Sequence, residues 1–316
     1  MDPEPILCLV GPTASGKSAL ALEVAQRLGA EIVSLDSMQV YRRMDVGTAK
    51  PSAGERGRVA HHMLDRAEPS ELYDVHRYLS ELEPVLADLA ARGRRALFVG
   101  GTGFWLASLL RGLLEGPAVD RALRAAIERR VLDTGAAAAH AELARADPRS
   151  AARIHPNDTK RLVRALEVLE ASGRPLSEWQ REWGWHGERA PERPHRALVL
   201  ELDAAELDAR IARRARTMLD AGWVEEALAV EAGGGYSATS IQALGYREVL
   251  DLGHGRTTRA ACEATVALRT RQFARRQRTW YRKLAGAARL AAAPEEGPTP
   301  ALAEAALRAL GREPAG

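Results

Sequence analysis

The amino-acid sequence predicts an α/β protein in which a parallel sheet has helices on both faces and is interrupted by an all-helical insertion. Short apolar segments of strand length alternate with longer segments of helical periodicity, which favours parallel strands joined by crossover helices. The stretch from Gly116 to Arg189 departs from this alternation, because it contains helix patterns and no convincing strand. We therefore expect a core domain of residues 1–115 and 195–316, and a helical insertion domain of residues 116–194.

The first strand, Ile6–Val10, runs into a loop that opens a helix. The loop has the pattern G-x-x-x-x-G-K-[ST], and its residues are Gly11, Pro12, Thr13, Ala14, Ser15, Gly16, Lys17 and Ser18. The two glycines let successive N–H groups converge on phosphate oxygens, and the positive end of the helix adds to that field. The lysine supplies a mobile positive charge, and the hydroxyl of Ser18 can ligate Mg²⁺. The pattern predicts a P-loop NTPase-like core that binds a phosphate chain with Mg²⁺.

The second strand, within residues 31–37, ends at a carboxylate, Asp36. Ligands of open α/β sheets bind at the carboxyl ends of strands, so Asp36 should face the same crevice as the P-loop. The third strand, Ala96–Val99, ends in a Gly-Gly-Thr-Gly loop and lacks the acid that a phosphoryl-transferring enzyme usually has there. Asp36 can act as a base for an acceptor group. A helix cap or a ligand of a Mg²⁺-bound water is the alternative role.

The other elements follow from capping signals, periodicity and chain breakers. Helices are predicted over residues 74–92, after Asp120, and over residues 136–145, 157–171 and 205–221, and a strand over residues 195–202. After Pro294 we expect a peripheral helix or partial disorder. No run of eighteen apolar residues occurs, so we expect no membrane-spanning helix. Two cysteines cannot form a disulfide framework, which indicates a reducing cytoplasm.

Two arginines, Arg210 and Arg214, are four residues apart on one of the predicted helices and share a face. Two guanidinium groups on one face can hold a diphosphate between them. Pairing with Glu206 or Asp208 in solvent explains them equally well, so the sequence leaves both alternatives open.

The net charge of the chain is only +3, but its distribution is uneven. Between Arg256 and Arg289 there are ten Arg or Lys residues against one acid, which indicates a polyanion partner. In this segment Val266, Phe273 and Trp280 recur every seven residues, so we expect a helix with these side chains on the core and arginines elsewhere. Arginines that alternate with aromatic and hydrogen-bonding residues are typical of RNA contacts.

Several motifs together resemble one family, the tRNA dimethylallyltransferases (tRNA isopentenyltransferases), from near the N-terminus to about Leu284. Besides the P-loop, the matching residues are Asp36-Ser37-x-x-x-Tyr41, Gly47-Thr48-Ala49-Lys50-Pro51, Gly100-Gly101-Thr102-Gly103, His155-Pro156-Asn157-Asp158, Arg161-Leu162-x-Arg164-Ala165-Leu166-Glu167-Val168, Gly245-Tyr246-Arg247 and Arg276-Gln277-x-Thr279-Trp280. The resemblance implies transfer of a dimethylallyl group from dimethylallyl diphosphate to N6 of the adenosine 3′-adjacent to the tRNA anticodon, with release of diphosphate. The partners it implies are dimethylallyl diphosphate and the anticodon stem-loop of tRNA.

The resemblance also implies roles for individual residues. Asp36 would be the general base, and Thr102 would contact the acceptor nucleotide. Lys17, Ser18 with Mg²⁺, and Arg214 together with Arg210 would neutralise the leaving diphosphate. The residues implied to contact tRNA are Asp36, Ser37, Met38, Gln39, Thr102, Arg124, Lys160, Arg161, Leu162, Val163, Arg164, Gln242, Gly245, Tyr246, Arg247, Arg275, Arg276, Gln277, Arg278, Thr279, Trp280 and Arg282.

Other functions fit parts of the sequence. An adenylate isopentenyltransferase would act on a free mononucleotide, which needs neither the insertion nor the basic helix. A kinase would use the insertion as a lid, and an RNA-binding switch would hydrolyse a nucleotide without transferring a group. Phe104-Trp105 departs from the residues usual in the family after the glycine loop, which leaves the shape of the prenyl pocket open. We expect a monomer that works in the cytoplasm.

Overall fold

The computed structural model describes residues 5–113, 120–183, 193–292 and 297–311. The chain divides into two compact units, one formed by residues 1–110 and 193–316 and the other by residues 111–192. The first unit contains a six-stranded parallel sheet with helices, which confirms the predicted α/β class. The described residues of the second unit form helices and their connections.

The six strands are β1 (Ile6–Val10), β2 (Ala30–Leu35), β3 (His61–His62), β4 (Arg95–Gly100), β5 (His195–Glu201) and β6 (Ala288–Ala291). Their order across the sheet is β3-β2-β4-β1-β5-β6, and every neighbouring pair is parallel. The four strands that the sequence predicted occupy the centre. The other two strands, β3 and β6, lie at the edges of the sheet. They were not predicted, because short and partly exposed strands lack a long apolar run.

The described helices are α1 (Lys17–Leu28), α2 (Ala53–Arg58), α3 (Val75–Ala91), α4 (Gly103–Arg111), α5 (Arg121–Thr134), α6 (Ala136–Ala146), α7 (Pro148–Ala151), α8 (Thr159–Ser172), α9 (Leu176–Trp183), α10 (Ala204–Asp220), α11 (Trp223–Ala232), α12 (Tyr246–Gly253), α13 (Arg259–Tyr281) and α14 (Pro300–Ala309). Side-chain caps fix several N-termini, as at Asp74 for α3 and Asp203 for α10. Within the described ranges, no helix combines the length and the apolar character that crossing a membrane requires.

The core of the first unit lies between the sheet and its helices, and it includes the C-terminal helix α14. Four side chains of this segment, Ala303, Ala306, Leu307 and Leu310, are buried and share one helical face. The helix that the sequence predicted after Pro294 is therefore present, but it packs into the core and is not peripheral. Its burial was not expected, because the alanines on this face give a weak apolar signal.

The second unit has its own core. Residues of α5, α6 and α8 pack together, and Leu143, Leu162 and Leu166 are fully buried there. Helix α8 begins at an Asp158 cap, whose side chain accepts the N–H of Arg161. The predicted helices of this region, after Asp120 and over residues 136–145 and 157–171, are all present.

Candidate active site

The register of the sheet brings the ends of three strands together. Gly100, which ends β4, is in register with Leu35 of β2 on one side and with Val10 of β1 on the other. The residues that follow are Asp36 and Gly11, so the acid and the P-loop begin at the same sheet edge, two strand spacings or about 10 Å apart. Gly100 has no room for a side chain, because a Cβ there would lie 2.1 Å from the carbonyl oxygen of Leu35.

The P-loop has the backbone geometry of an anion cradle. Ala14 and Gly16 adopt positive φ angles of 62° and 86°, and Gly16 precedes the first turn of α1. Left-handed residues within a tight loop turn successive N–H groups to one side, and the helix start adds its free N–H groups. The hydroxyl oxygen of Ser15 is buried without a hydrogen-bond partner among the described residues. The loop therefore offers unused polar groups to a ligand.

Lys17 lies near one positive and one negative side chain, Arg214 and Asp36. Its Nζ donates a hydrogen bond to the carbonyl oxygen of Pro12 over 3.2 Å. Burial, followed by the positive charge of Arg214, lowers the pKa of Lys17 to about 8, whereas the negative charge of Asp36 raises it. The lysine, the arginine and the carboxylate, which come from three different elements, are thus close enough to interact.

Arg214 and Arg210 both reach this site from α10. Burial lowers the pKa of Arg214, and the charge of Asp36 opposes that shift. Nε of Arg210 donates to Glu206 over 2.8 Å, and a guanidinium nitrogen of Arg210 lies 3.7 Å from where a Cβ of Gly16 would be. Arg210 therefore combines both alternatives that the sequence left open, since it pairs with Glu206 and also approaches the P-loop.

Thr102 lies directly beside the acid. Its Oγ1 accepts a hydrogen bond from the backbone N–H of Ser37 over 3.1 Å, and its own N–H donates to the carbonyl oxygen of Leu35. The carboxylate of Asp36 accepts the N–H of Met38 over 2.9 Å, which fixes the turn after β2. The half-buried Asp36 keeps its second carboxylate oxygen outside this turn bond.

The two residues that follow Gly103 have different environments. Trp105 is buried and stacks on Tyr78, with ring centroids 4.2 Å apart. Phe104 is exposed. Trp105 is thus part of the packing between α4 and α3, and Phe104 is the one of the pair whose side chain is accessible.

The buried face of α13 differs from the predicted stripe. Val266 is buried as predicted, and Gln277 and Tyr281 are buried as well, whereas Phe273 and Trp280 are only half-buried. The seven-residue spacing of large apolar residues was misleading because the true face contains small residues and a glutamine. Arg276 lies with its guanidinium 5.9 Å from the ring of Phe273, on the half-buried aromatic side of the helix.

A cavity of about 780 Å³ opens at the carboxyl ends of β5 and β6, beside Pro12 of the P-loop. Its basic lining residues are Arg275, Arg278, Arg282 and Arg289, and its acidic ones are Glu201 and Asp203. At 100° per residue, Arg275 and Arg276 point about a quarter-turn apart. The arginines that were predicted from the sequence to bind RNA as one group therefore lie on two faces of α13. One face lines this cavity, and the other carries Arg276 and Phe273.

Many of the side chains expected to contact tRNA are accessible. The exposed ones are Lys160, Arg161, Gln242, Arg247, Arg275, Arg276, Arg278, Thr279 and Arg282, and the half-buried ones are Ser37, Met38, Gln39, Thr102, Arg124, Arg164 and Trp280. The amide of Gln39 donates to the carbonyl oxygens of Thr48 and Ala49 and thereby holds its own loop. Arg124 and Arg164 both lie against one carboxylate oxygen of the buried Glu167, at 3.6 and 3.0 Å.

Five of those residues are buried, and their role as RNA contacts stays a prediction. They are Leu162, Val163, Gly245, Tyr246 and Gln277. Tyr246 donates its hydroxyl to Glu226 over 2.7 Å, and Glu226 also accepts the N–H groups of Asp45, Val46 and Gly47. Glu226 thus links Tyr246 of the Gly-Tyr-Arg motif to Gly47 of the Gly-Thr-Ala-Lys-Pro motif. Glu226 itself carries no sequence signal, because its partners are backbone groups distant in the chain.

A magnesium ion at this sheet edge would have few protein ligands. Within the described ranges, no group of three or more His, Cys, Asp or Glu side chains is arranged to bind a metal. Mg²⁺ usually keeps several waters and is held by one or two protein oxygens plus phosphates. The exposed Ser18, in the first turn of α1, can provide such an oxygen.

Known proteins resemble this chain over most of its length. A model of the IPP transferase family matches residues 39–284. The chain belongs to this family. Its IPP transferase relatives include a tRNA dimethylallyltransferase of Methylococcus capsulatus, 47% identical over 88% of this chain and 89% of the relative. Another, from Deinococcus radiodurans, is 42% identical over 96% and 95% of the two chains.

Solved structures of IPP transferase relatives share the fold. The tRNA isopentenylpyrophosphate transferase of Bacillus halodurans is 33% identical, with a TM-score of 0.66 over 93% of this chain and 92% of that one. A eukaryotic dimethylallyltransferase acting on tRNA is 25% identical, with a TM-score of 0.75 over 93% and 75% of the two chains.

Proposed function

We propose that this protein is a tRNA dimethylallyltransferase, which moves a dimethylallyl group from dimethylallyl diphosphate to N6 of the adenosine 3′-adjacent to the anticodon. The observation that carries the proposal is the placement of Asp36 at the same sheet edge as the P-loop, within electrostatic reach of Lys17 and Arg214. A base for the acceptor and cations for the leaving group then flank one reaction centre. The names of the relatives support tRNA as the substrate.

The chemistry follows from this placement. A C–N bond forms between N6 and the allylic carbon while the C–O bond to the diphosphate breaks, and its electron pair leaves with the diphosphate. The exocyclic amine of adenine is a poor nucleophile, so Asp36 accepts the proton that N6 loses. The charges of Lys17 and Arg214, with Arg210 beside Gly16, stabilise the negative charge that grows on the diphosphate.

A bound Mg²⁺ would be held by Ser18 and by diphosphate oxygens, and it would neutralise part of the charge of the leaving group. The buried, unpaired hydroxyl of Ser15 and the N–H groups of the cradle provide further contacts for the same oxygens. Such contacts fit a diphosphate, and the absence from the sequence of the acid after β4 that phosphoryl transfer uses favours the diphosphate of an isoprenoid over ATP.

The exposed basic residues are the proposed tRNA contacts in each unit. Lys160 and Arg161 start α8 in the helical unit, and Arg247 and Arg276 lie on the core unit. Phosphate contacts by such side chains position an RNA without reading its sequence. The target adenine must leave its stack to reach Asp36, at a cost of a few kcal/mol that these contacts offset. Our proposal includes a monomer that works in the cytoplasm.

The test is mass analysis of nucleosides from unmodified tRNA after incubation with dimethylallyl diphosphate and Mg²⁺. The expected product is N6-dimethylallyladenosine, formed far more slowly with Asp36→Asn. Parallel reactions with labelled ATP, and with AMP in place of tRNA, separate the alternatives. Phosphoryl transfer from ATP would identify a kinase, and prenylation of AMP but not tRNA would identify an adenylate isopentenyltransferase. Nucleotide-dependent RNA affinity without any transfer would identify a switch.

A further inference from the structure

Gln277 connects two loops of the active site to the basic helix α13. The side chain is buried, with 6% of its surface exposed. Its Oε1 accepts the N–H of Thr13 in the P-loop over 2.9 Å, and its Nε2 donates to the carbonyl oxygen of Gly101 over 2.9 Å. Because one partner is a donor and the other an acceptor, the two bonds fix the orientation of the amide. The glutamine thus joins the loops that follow β1 and β4.

The loop after β4 is shaped around α13. A Cβ on Gly101 would lie 2.4 Å from Nε2 of Gln277, while the next nearest group outside that side chain, the carbonyl oxygen of Gly11, would be 3.8 Å away. A Cβ on Gly103 would lie 2.4 Å from the ring of Trp280. Two of the three glycines in this loop therefore make room for side chains of one helix. Thr102, between them, is the residue that hydrogen-bonds beside Asp36.

The same helix also carries the exposed arginines. Arg276 precedes Gln277 directly, and Arg275 and Arg278 line the cavity beside Pro12. A polyanion bound by these arginines would therefore contact α13, the same helix that is hydrogen-bonded to the P-loop through Gln277. The N–H of Thr13 is already engaged, so phosphate oxygens are left to the other N–H groups of the loop.

We propose that Gln277 is a positioning residue, which holds the P-loop and the Gly101–Thr102 segment in the geometry that prenyl transfer requires. It joins the helix proposed to contact RNA to the cradle for the diphosphate. The inference rests on the proposed function for the identity of the two ligands. The two hydrogen bonds and the glycine contacts belong to the fold itself.

The first experiment compares Gln277→Leu, which removes both hydrogen bonds, with Gln272→Leu, an exposed glutamine on the same helix. Binding of inorganic pyrophosphate with Mg²⁺ is measured by calorimetry, and steady-state kinetics give KM for dimethylallyl diphosphate and kcat. For Gln277→Leu we expect pyrophosphate affinity to fall roughly tenfold and kcat to fall as well. The affinity for an anticodon stem-loop should stay within about twofold, and Gln272→Leu should match the wild type.

Two outcomes overturn the proposal. One is unchanged pyrophosphate affinity and kinetics in Gln277→Leu, including the case in which only its melting temperature falls, since that would make the residue merely structural. The other is an equal loss in Gln272→Leu. If the wild type bound pyrophosphate but transferred no group to tRNA, the proposed function would be contradicted. The pyrophosphate affinities of Gln277→Leu and Gln272→Leu would still test the positioning role of Gln277.

A double-mutant cycle covers the case in which Gln277→Leu does not fold. Gly101→Ala should reduce pyrophosphate affinity and kcat, because its methyl group meets the amide of Gln277. In the Gln277→Ala background the amide is absent, so Gly101→Ala should cause little further loss. Equal losses from Gly101→Ala in both backgrounds would overturn the proposal.

Discussion

The hydroxyl of Thr102 accepts the backbone N–H of Ser37, the residue next to Asp36, over 3.1 Å. Thr102 follows β4 and Asp36 follows β2, so this bond connects two neighbouring strand ends beside the proposed base. The turn that carries the carboxylate is thereby fixed by a second hydrogen bond, since Asp36 itself accepts the N–H of Met38. The geometry makes Thr102 a group that orients the base as well as one that can contact the nucleotide.

Removing this hydroxyl should therefore slow transfer. We expect Thr102→Val to lower the single-turnover rate roughly tenfold, because a displaced base loses alignment with its proton. Thr102→Ser, which keeps the acceptor oxygen, should retain most of the rate. Equal rates for the valine variant and the wild type would remove Thr102 from this role.

Asp36→Asn tests the base itself. The variant should bind tRNA and pyrophosphate nearly as the wild type does, and it should lose about 10²- to 10⁴-fold in single-turnover rate. The amide preserves the size of the side chain and its bond to Met38, so a folding defect is not expected. Glu55→Gln, in the first turn of α2, is a control for loss of one negative charge, because glutamine can keep the capping bond to Ser52.

The pH dependence of pyrophosphate binding should report Lys17. Its pKa is lowered to about 8, so the ammonium is charged below that pH and loses its charge as the pH rises through it. Affinity should fall above about pH 8. Because the charge of Arg214 lowers this pKa, Arg214→Gln should move the fall to higher pH, on top of a weaker affinity. Asp36→Asn should move it to lower pH. Shifts in the same direction would contradict the assignment.

Much of this architecture could be predicted because it is encoded locally. The P-loop pattern, the cap of α3 and the carboxylate after β2 each depend on a few consecutive residues. Gln277 was included in a motif, but its hydrogen bonds to Thr13 and Gly101 join residues far apart in the chain. The edge strand β6 takes its register from β5 and has no apolar run of its own. Such features depend on tertiary contacts, which a single sequence does not show.

The division of the α13 arginines predicts different effects for two adjacent residues. Arg276→Gln should weaken binding of the stem-loop and reduce the slope of log Kd against log salt by about 0.7–0.9, without changing pyrophosphate affinity. Arg275→Gln should also weaken pyrophosphate binding, because Arg275 lines the cavity next to Pro12. Filter binding across a salt series and calorimetry measure the two effects. Identical profiles for both variants would show that the helix faces are not distinct.

The buried Glu167 of the helical unit gives a test that is independent of the reaction centre. One carboxylate oxygen lies near Arg164 and Arg124, and the other is buried without a hydrogen-bond partner in the described part of the chain. Glu167→Gln removes the charge that orients both arginines. We expect it to lower the free energy of unfolding by about 1–3 kcal/mol, because the buried group loses charge-assisted contacts while the partly exposed arginines keep access to solvent, and to weaken stem-loop binding.

The matched control is Glu128→Gln, because Glu128 contacts the same Arg124 at 3.1 Å from an exposed position. A surface pair contributes at most about 1 kcal/mol, so this variant should unfold at nearly the denaturant concentration of the wild type. If the two variants had equal stability, Glu167 would not support the arginines from within the core. If Glu167→Gln lost stability but bound the stem-loop normally at a temperature where it is folded, Arg124 and Arg164 would not be RNA contacts. The pair of measurements therefore separates the support that Glu167 gives to the fold from the support it gives to the RNA-binding surface.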